Sequence, residues 1–313
     1  MKHQKKIKYL LLLCSIFFLF LTASIYGIAR DKPSSIAAAE KSASKNGNKA
    51  ERVISMAPNI TETIFAIGCG KRVAGVTDFC MYPSEALSLP KVGGYINPNL
   101  ERLAVLHPDL VIVLGKHEKV DKYCRFRAIP VLHVNMDSLA TIYKDIVEIG
   151  TALDSSDSAQ KLCAEIRNQL KAVSQDTAPY KRQKVFICLG RAPDSFSNIY
   201  TAGGSSFISE ILNIAGGDNV FEDVTLPYPE ASKESIIKRA PEIIIEMRPG
   251  QDISDSRRRE IVAEWNIFRG IPAVSRHKIY VLSEDYILLP GPRVVAAARL
   301  LAKTLHPEIT HEP

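Results

Sequence analysis

Two glutamates, Glu101 and Glu234, stand in matching local sequence and are the first candidates for a binding role. Each lies two positions after a helix-capping residue, Asn99 or Ser232, and precedes an apolar periodic segment. The helix dipole and unpaired backbone N–H groups favour a carboxylate in the first turn by about 0.3–1 kcal/mol without any function. The dipole does not explain why both halves of the chain place the acid identically, so a structural and a functional interpretation both stay open.

Tyrosines and arginines form a second group of candidates. Tyr95 and Tyr228 each stand six residues before one of these glutamates, beside turn-forming residues. Tyrosines on opposed loops are suited to grip a large flat ligand with apolar faces and polar hydroxyl tips. Further candidates lie just past predicted strands, where α/β folds place ligands: Tyr82, Arg191, Arg248 and Tyr286. For each of these the alternative is an ordinary loop residue or a surface ion pair.

Motifs of catalysis and of metal binding are absent from the sequence. It contains no G-x-S-x-G, no G-x-x-x-x-G-K-[ST], no H-E-x-x-H, and no G-x-G-x-x-G after a strand. The histidines lack ligand spacing and there is no C-x-x-C, so neither a structural zinc site nor a resident cofactor is expected. The cysteines beyond Cys14 are predicted to be buried free thiols, with one disulfide after export as the alternative: Cys69, Cys80, Cys124, Cys163 and Cys188.

Short apolar strands alternate with helical segments on both sides of one long amphipathic helix, and this alternation predicts parallel βα units. The predicted strands are 53–55, 73–76, 110–114, 131–134, 184–189, 242–246 and 278–282. The long helix is predicted over 157–178, where apolar residues recur at spacings of three and four. A last helix is predicted over 292–305.

An internal repeat relates the two halves of the chain. The segment 99–113 matches 232–246, with Glu101 and Glu234 at the same offset of 133 residues as Pro108 and Pro241. A second pair, 60–68 and 208–216, also agrees. We therefore predict an α/β protein of two Rossmann-like lobes with parallel-type sheets, residues 51–155 and 179–313, joined by the helix 156–178. A ligand cleft is expected between the lobes.

The amino-terminal segment predicts export. Four lysines precede an apolar run that ends at Ala29, followed by Arg30. Residues 1–29 are interpreted either as a signal peptide cleaved before Arg30 or as an uncleaved anchor, and residues 30–50 as a disordered tether. Cys14 lies inside the apolar run, so a lipid anchor is not expected. The chain has a net charge of +6, of which residues 1–29 carry +4, and the remaining +2 argues against a nucleic-acid partner.

From Arg52 to about Leu305 the chain resembles the class of periplasmic binding proteins whose lobes are joined by a single long helix, and within it the cobalamin-binding receptors. The stretches that carry the resemblance are 52–62, Tyr82-Pro83, 99–101 with 108–112, 227–234 and 291–294. The resemblance implies a monomeric receptor that acts in the periplasm or at the outer face of the cytoplasmic membrane. It also implies that Glu101 and Glu234 dock onto the transmembrane subunits of an ABC importer.

The resemblance further implies that Tyr82, Tyr95 and Tyr228 contact a large metal chelate, a corrinoid in the cobalamin receptors. Tyr95 and Tyr228 stand where those receptors carry tryptophans, which leaves the ligand open. A haem or ferric siderophore receptor of the same fold is the nearest alternative, with Tyr82 or Tyr286 as an axial ligand of haem. From other classes, a cell-envelope enzyme or an adhesion module remains an alternative.

Overall fold

The computed structural model describes residues 50–192 and 195–309. The predicted export segment and, except for residue 50, the predicted tether lie outside these residues. No helix within 50–192 or 195–309 has the length and apolar character needed to cross a membrane. The described residues divide into two compact units: the first holds residues 50–136 and Thr141–Cys163, and the second holds Asp137–Ala140, 164–192 and 195–309.

The first lobe is built on a four-stranded parallel sheet in the order β2-β1-β3-β4. Its strands are Val53–Ser55 (β1), Val73–Val76 (β2), Leu110–Leu114 (β3) and Val131–Val134 (β4). Its helices are Pro58–Ala66 (α1), Leu100–Val105 (α2), Glu118–Phe126 (α3) and Leu139–Ala152 (α4), with 3-10 turns at Gly70–Arg72 and Ser84–Ser88. The central strands β1 and β3 are almost entirely buried, because helices cover both faces of a parallel sheet.

The second lobe repeats this plan with the order β6-β5-β7-β8. Its strands are Gln183–Cys188 (β5), Gly217–Asn219 (β6), Ile243–Met247 (β7) and Ile279–Leu282 (β8). Its helices are Phe207–Ile214 (α6), Lys233–Arg239 (α7), Asp255–Glu264 (α8), Pro272–Ser275 (α9) and Val294–Leu305 (α10), with a 3-10 turn at Trp265–Phe268. Trp265 is completely buried, and its ring lies 4.8 Å from that of Phe196 and 6.0 Å from that of Phe186.

The long helix is observed as Ser156–Thr177 (α5), 22 residues against the predicted 157–178. Its predicted apolar positions are buried except for Leu162, which is partly buried. The division between the two compact units falls within α5, after Cys163, whereas the first lobe was predicted to end at residue 155.

The internal repeat extends to the hydrogen bonds that begin each lobe. The carboxylate of Asp109 accepts the backbone N–H of Glu51 at 2.8 Å, and that of Glu242 accepts the backbone N–H of Lys184 at 3.1 Å. Both acceptors and both donors are 133 residues apart. In each lobe, the acid that follows the proline of the repeat therefore accepts a hydrogen bond from the backbone that leads into the first strand.

The five cysteines of the described chain are buried free thiols, as predicted. Cys80 lies 3.1 Å from the hydroxyls of Thr61 and Thr77, and Cys69 lies 3.3 Å from that of Ser155. Burial, followed by the nearby charge of Asp121, raises the pKa of Cys124 to about 11. Such thiols are poor nucleophiles and poor metal ligands. Within residues 50–192 and 195–309, no group of three His, Cys, Asp or Glu side chains is arranged to hold a metal ion.

Two glycines that end equivalent helices differ in the space around them. Gly68 and Gly216 have φ values of +79° and +82°. Alanine at Gly68 meets nothing within 4 Å, so Gly68→Ala is expected to cost only the left-handed strain of about 1–2 kcal/mol. At Gly216 the added methyl would meet Nε2 of the His306 side chain at 2.5 Å, so Gly216→Ala is expected to cost at least ~1 kcal/mol more. Urea denaturation of both variants measures the difference, and equal losses would contradict this packing.

Candidate functional site

Tyr95 lies at the carboxyl end of β3. Its hydroxyl donates to the carbonyl oxygen of Leu114, the last residue of that strand, at 2.9 Å. The imidazole of His117 packs edge-on against its ring at a centroid distance of 4.8 Å, and His117 Nε2 lies 2.7 Å from the Tyr95 carbonyl oxygen. Burial, with the charge of Asp121 second, raises the pKa of Tyr95. The hydroxyl thus donates to the backbone, and the ring is half-buried.

Tyr82 lies on the loop after β2 and is the most open of the candidate tyrosines. It is 49% exposed, next to Met81 at 59%. The backbone closes this loop: Asp78 N donates to Gly93 O at 3.0 Å, and Val92 N donates to Val76 O at 2.9 Å. The loops that carry Tyr82 and Tyr95 therefore both lie at the carboxyl edge of the first sheet.

Tyr228 occupies the corresponding loop of the second lobe, held on both sides by backbone hydrogen bonds. Gly203 N donates to Pro227 O at 2.8 Å, and Thr201 N donates to Pro229 O at 3.0 Å. Burial raises the pKa of Tyr228 well above its ordinary value, and the negative charge of Asp137 adds to this effect. The phenol is therefore neutral at physiological pH.

Arg191, predicted as a ligand contact, lies in a buried network around Glu246. Its side chain is 0% exposed and donates through Nε and Nη2 to Glu246 Oε2 at 3.3 Å, with a further short contact to Glu264. The indole N–H of Trp265 donates to the same oxygen at 2.7 Å. Arg248 Nε donates to Glu246 Oε1 at 2.8 Å. Arg191 therefore braces the interior of the second lobe, and a ligand would have to break these bonds to reach it.

Arg248 and Tyr286 lie on neighbouring loops at the carboxyl edge of the second sheet. Arg248 N donates to Leu282 O at 2.7 Å, which joins the ends of β7 and β8. The guanidinium of Arg293 lies 5.4 Å from the centre of the Tyr286 ring and pairs with Asp285 at 2.8 Å. Burial, then the charges of Glu284 and Asp285, raises the pKa of Tyr286. The structure thus brings Arg248 and Tyr286 to the carboxyl edge of the second sheet, where the positive charge of Arg248 is paired with the carboxylate of Glu246.

Glu101 and Glu234 occupy the same position in α2 and α7. Asn99 accepts the backbone N–H of Arg102 at 2.9 Å, and Ser232 Oγ accepts that of Ser235 at 3.1 Å, so each glutamate follows a capped helix start. Both side chains are exposed. Each helix is held from beneath by one buried residue, Leu103 or Ile236. The predicted matched placement in the two lobes is therefore present.

Four residues of these sites were not predicted as site residues from the sequence: His117, Glu246, Trp265 and Arg293. A signal existed for Glu246, which is a lone acid in the otherwise apolar strand β7, and such an acid needs a buried partner. Trp265 is the only tryptophan in the chain. His117 carries no pattern that singles it out, because its partner Tyr95 lies 22 residues earlier, and Arg293 was noted only as part of the stretch 291–294.

The family of the chain follows from comparison with known proteins. The family model described as "Periplasmic binding protein" matches residues 53–286, which include both sheets. The chain therefore belongs to the periplasmic binding protein family.

Individual relatives narrow this class. The vitamin B12-binding protein of Vibrio parahaemolyticus is 32% identical over 250 residues, covering 79% of this chain and 86% of that protein. The uncharacterized ABC transporter substrate-binding lipoprotein YvrC of Bacillus subtilis is 29% identical, covering 84% and 82%. Among solved structures, a possible iron-binding periplasmic solute-binding protein from Staphylococcus epidermidis has a TM-score of 0.73 at 28% identity, covering 83% of this chain and 100% of that chain. The vitamin B12-binding protein BtuF of Vibrio cholerae has a TM-score of 0.66 at 25% identity, covering 84% and 99%.

The particular class is thus a solute-binding protein of an ABC importer, and not an enzyme. Its place of action is outside the cytoplasm, and its partners are the transmembrane subunits of that importer. The predicted α/β architecture of two parallel-sheet lobes is confirmed.

The buried network predicts a large loss of stability for Glu246→Ala. This change leaves the Arg191 guanidinium and the Trp265 N–H without their shared acceptor, which is expected to cost about 3–5 kcal/mol. Glu260→Ala is the control, because Glu260 pairs with Arg257 at 3.0 Å on an exposed surface and its removal is expected to cost less than about 1 kcal/mol. Urea denaturation compares the two variants. Similar losses would show that Glu246 does not brace this lobe.

Proposed function

We propose that the protein captures a corrinoid, cobalamin, outside the cytoplasmic membrane and delivers it to an ABC importer. The observation that carries this proposal is the similarity to vitamin B12-binding proteins over most of both chains, joined with tyrosines at the carboxyl edge of each sheet. The corrinoid is cargo, and the receptor works as a monomer without a resident cofactor. It acts in the periplasm if the segment 1–29 is cleaved, and at the outer face of the cytoplasmic membrane if that segment remains.

The proposed ligand contacts are Tyr82 and Tyr95 in the first lobe, and Tyr228, Arg248 and Tyr286 in the second. The Tyr95 ring, whose hydroxyl donates to the Leu114 carbonyl, can bind a flat macrocycle at a low cost in side-chain entropy. Arg191 is left out of this set because its side chain is enclosed in the second lobe.

A second candidate ligand is haem or a ferric siderophore. Its support is the open phenol of Tyr82, a possible axial ligand, together with the similarity to a possible iron-binding protein. Phenolate ligation of ferric iron requires a deprotonated tyrosine. Burial and the charges of Glu284 and Asp285 raise the pKa of Tyr286, which makes it the less suited of the two predicted axial ligands and leaves Tyr82 for that role.

Ligand identity is tested by absorbance titration with cobalamin, haem and a ferric siderophore. Cobalamin is expected to bind with a stoichiometry of one per chain. Tyr95→Ala is expected to weaken it about tenfold, because the ring contact is lost. Tyr95→Phe is the matched control and keeps most of the affinity, since the ring remains and the hydroxyl donates to the backbone carbonyl of Leu114. Failure with every corrinoid, or binding of haem alone, would refute the ligand assignment.

Docking is tested with the double variant Glu101→Ala, Glu234→Ala. It is expected to abolish uptake of the ligand in cells while leaving the affinity for the free ligand unchanged, because both carboxylates lie on exposed helices and orient the encounter. The matched control is Glu118→Ala with Asp255→Ala, which removes exposed first-turn acids from α3 and α8. A large loss of ligand affinity in the first variant, or loss of uptake in the control, would contradict the docking role.

A further inference from the structure

Tyr228 stands on a loop that is hydrogen-bonded along its length to a second, glycine-rich segment. We call residues 224–229 the Tyr228 loop and residues 201–205 the glycine segment. Four donors of the glycine segment bond carbonyl oxygens of the loop at 2.6–3.0 Å: Thr201 N to Pro229 O, Gly203 N to Pro227 O, Gly204 N to Val224 O and Ser205 Oγ to Thr225 O. Bonds on both sides of Tyr228 therefore hold its backbone.

The direction of these bonds follows from the sequence of the loop. Pro227 and Pro229 have no backbone N–H, so the prolines that flank Tyr228 can offer a neighbouring segment only acceptors. Each proline also has a fixed φ and holds the residue before it in extended backbone. The prolines thus restrict the backbone of Tyr228, and the glycine segment sets where that backbone lies.

The loop and the glycine segment approach so closely that two positions have no room for a side chain. A Cβ atom on Gly203 would lie 2.0 Å from Leu226 O and 2.7 Å from Val224 O. A Cβ atom on Gly204 would lie 2.1 Å from Glu222 O. Close-packed backbone does not yield as the end of a flexible side chain does, so any larger residue would push the loop away.

The glycine segment is itself fixed to the frame of the second lobe. The side-chain amide of Asn219, in β6, donates to Ala202 O at 2.8 Å and to Ser209 Oγ at 3.0 Å. Ser206 Oγ donates to Gly203 O at 2.7 Å and, as the cap of α6, accepts Ser209 N at 3.2 Å. Strand β6 and the start of α6 thus set the position of the glycine segment, and through it that of the Tyr228 loop.

The first lobe holds its tyrosine in a different way. Continuing the alignment of α1 with α6 toward the amino terminus places Ser55 and Met56 opposite the two glycines, so the shared fold does not itself require glycine there. The Tyr95 side chain is held by its own hydroxyl, which donates to Leu114 O at 2.9 Å. The glycine pair therefore belongs to the second lobe, where the Tyr228 loop needs the space.

We propose that Gly203 and Gly204 are positioning residues for the ligand, which act through the backbone of the Tyr228 loop and thereby set the affinity for a flat macrocycle. This inference rests on the proposed role of Tyr228 as a ligand contact and extends it. A ring that is placed in advance loses little conformational freedom on binding, whereas a displaced ring meets the ligand in the wrong geometry.

The first test is an absorbance titration with cobalamin. Gly203→Ala is expected to weaken binding about tenfold, because the loop must shift. Gly270→Ala is the matched control, since an added Cβ atom there meets nothing within 4 Å, and it should bind like the unchanged protein. In a Tyr228→Ala background, Gly203→Ala is expected to cause no further loss. An equal loss in both backgrounds would show that Gly203 does not act through Tyr228 and would overturn the proposal.

A second pair of variants avoids a change in the buried part of the segment. Ser205 is exposed, so Ser205→Ala removes its bond to Thr225 O and little else, and is expected to weaken cobalamin binding about threefold. Ser205→Thr keeps the hydroxyl donor and is expected to bind like the unchanged protein. Urea denaturation should not distinguish these two variants. Equal affinities of Ser205→Ala and Ser205→Thr would contradict the positioning role.

A ligand-free measurement separates this inference from the proposed function. Fluorine NMR of a fluorinated tyrosine in place of Tyr228 reports the surroundings of its ring. The resonance is expected to shift in Gly203→Ala and Ser205→Ala, and to stay in place in Gly270→Ala and Ser205→Thr. An unmoved resonance in Gly203→Ala would overturn the positioning role whatever the ligand. If cobalamin does not bind, or Tyr228→Ala binds it normally, the proposed function fails, while a moved resonance still supports the positioning of the ring.

Discussion

Both lobes share the same constraint, a carboxylate that accepts a hydrogen bond at the start of the first strand from a residue 58 positions earlier in the chain. Asp109 and Glu242 each stand at the entrance to the second central strand and accept a backbone N–H from the residues that lead into the first. This bond agrees with the register of β1 against β3 and of β5 against β7, which the buried apolar side chains specify. A shift of one residue would turn every buried side chain to the other face. The helices α2 and α7, which carry Glu101 and Glu234 in their first turns, end just before these acids.

The sequence was sufficient for most of the fold, because its signals are local. The first four strands match their predicted bounds, and three later strands and the long helix differ by one residue at most at each end. Strand β6 was missed, since Gly217, Asp218 and Asn219 have no β-branched or aromatic residue, and the strand exists only by pairing with β5. The matched caps before Glu101 and Glu234 were predictable for the same local reason.

The details of the sites were less predictable, because they depend on partners distant in sequence. Arg191 follows a strand, as a ligand contact would. Its side chain is nevertheless buried, because it pairs with Glu246, 55 residues later. Tyr95 has the expected place, but its hydroxyl is bound by the carbonyl of Leu114. A buried ion pair costs desolvation that the sequence does not reveal. Tyr95 and Arg191 are thus both engaged by groups of their own lobe, which suits a receptor that binds and releases its cargo without chemistry.

The most direct test is the identity of the ligand carried by the protein in its own cells. Native mass spectrometry of the receptor, purified from the producing cells without added ligand, measures the mass bound to each chain. The account predicts the mass of a single corrinoid, released when the protein unfolds. A haem or a ferric siderophore in its place would contradict the corrinoid assignment while leaving the receptor class intact.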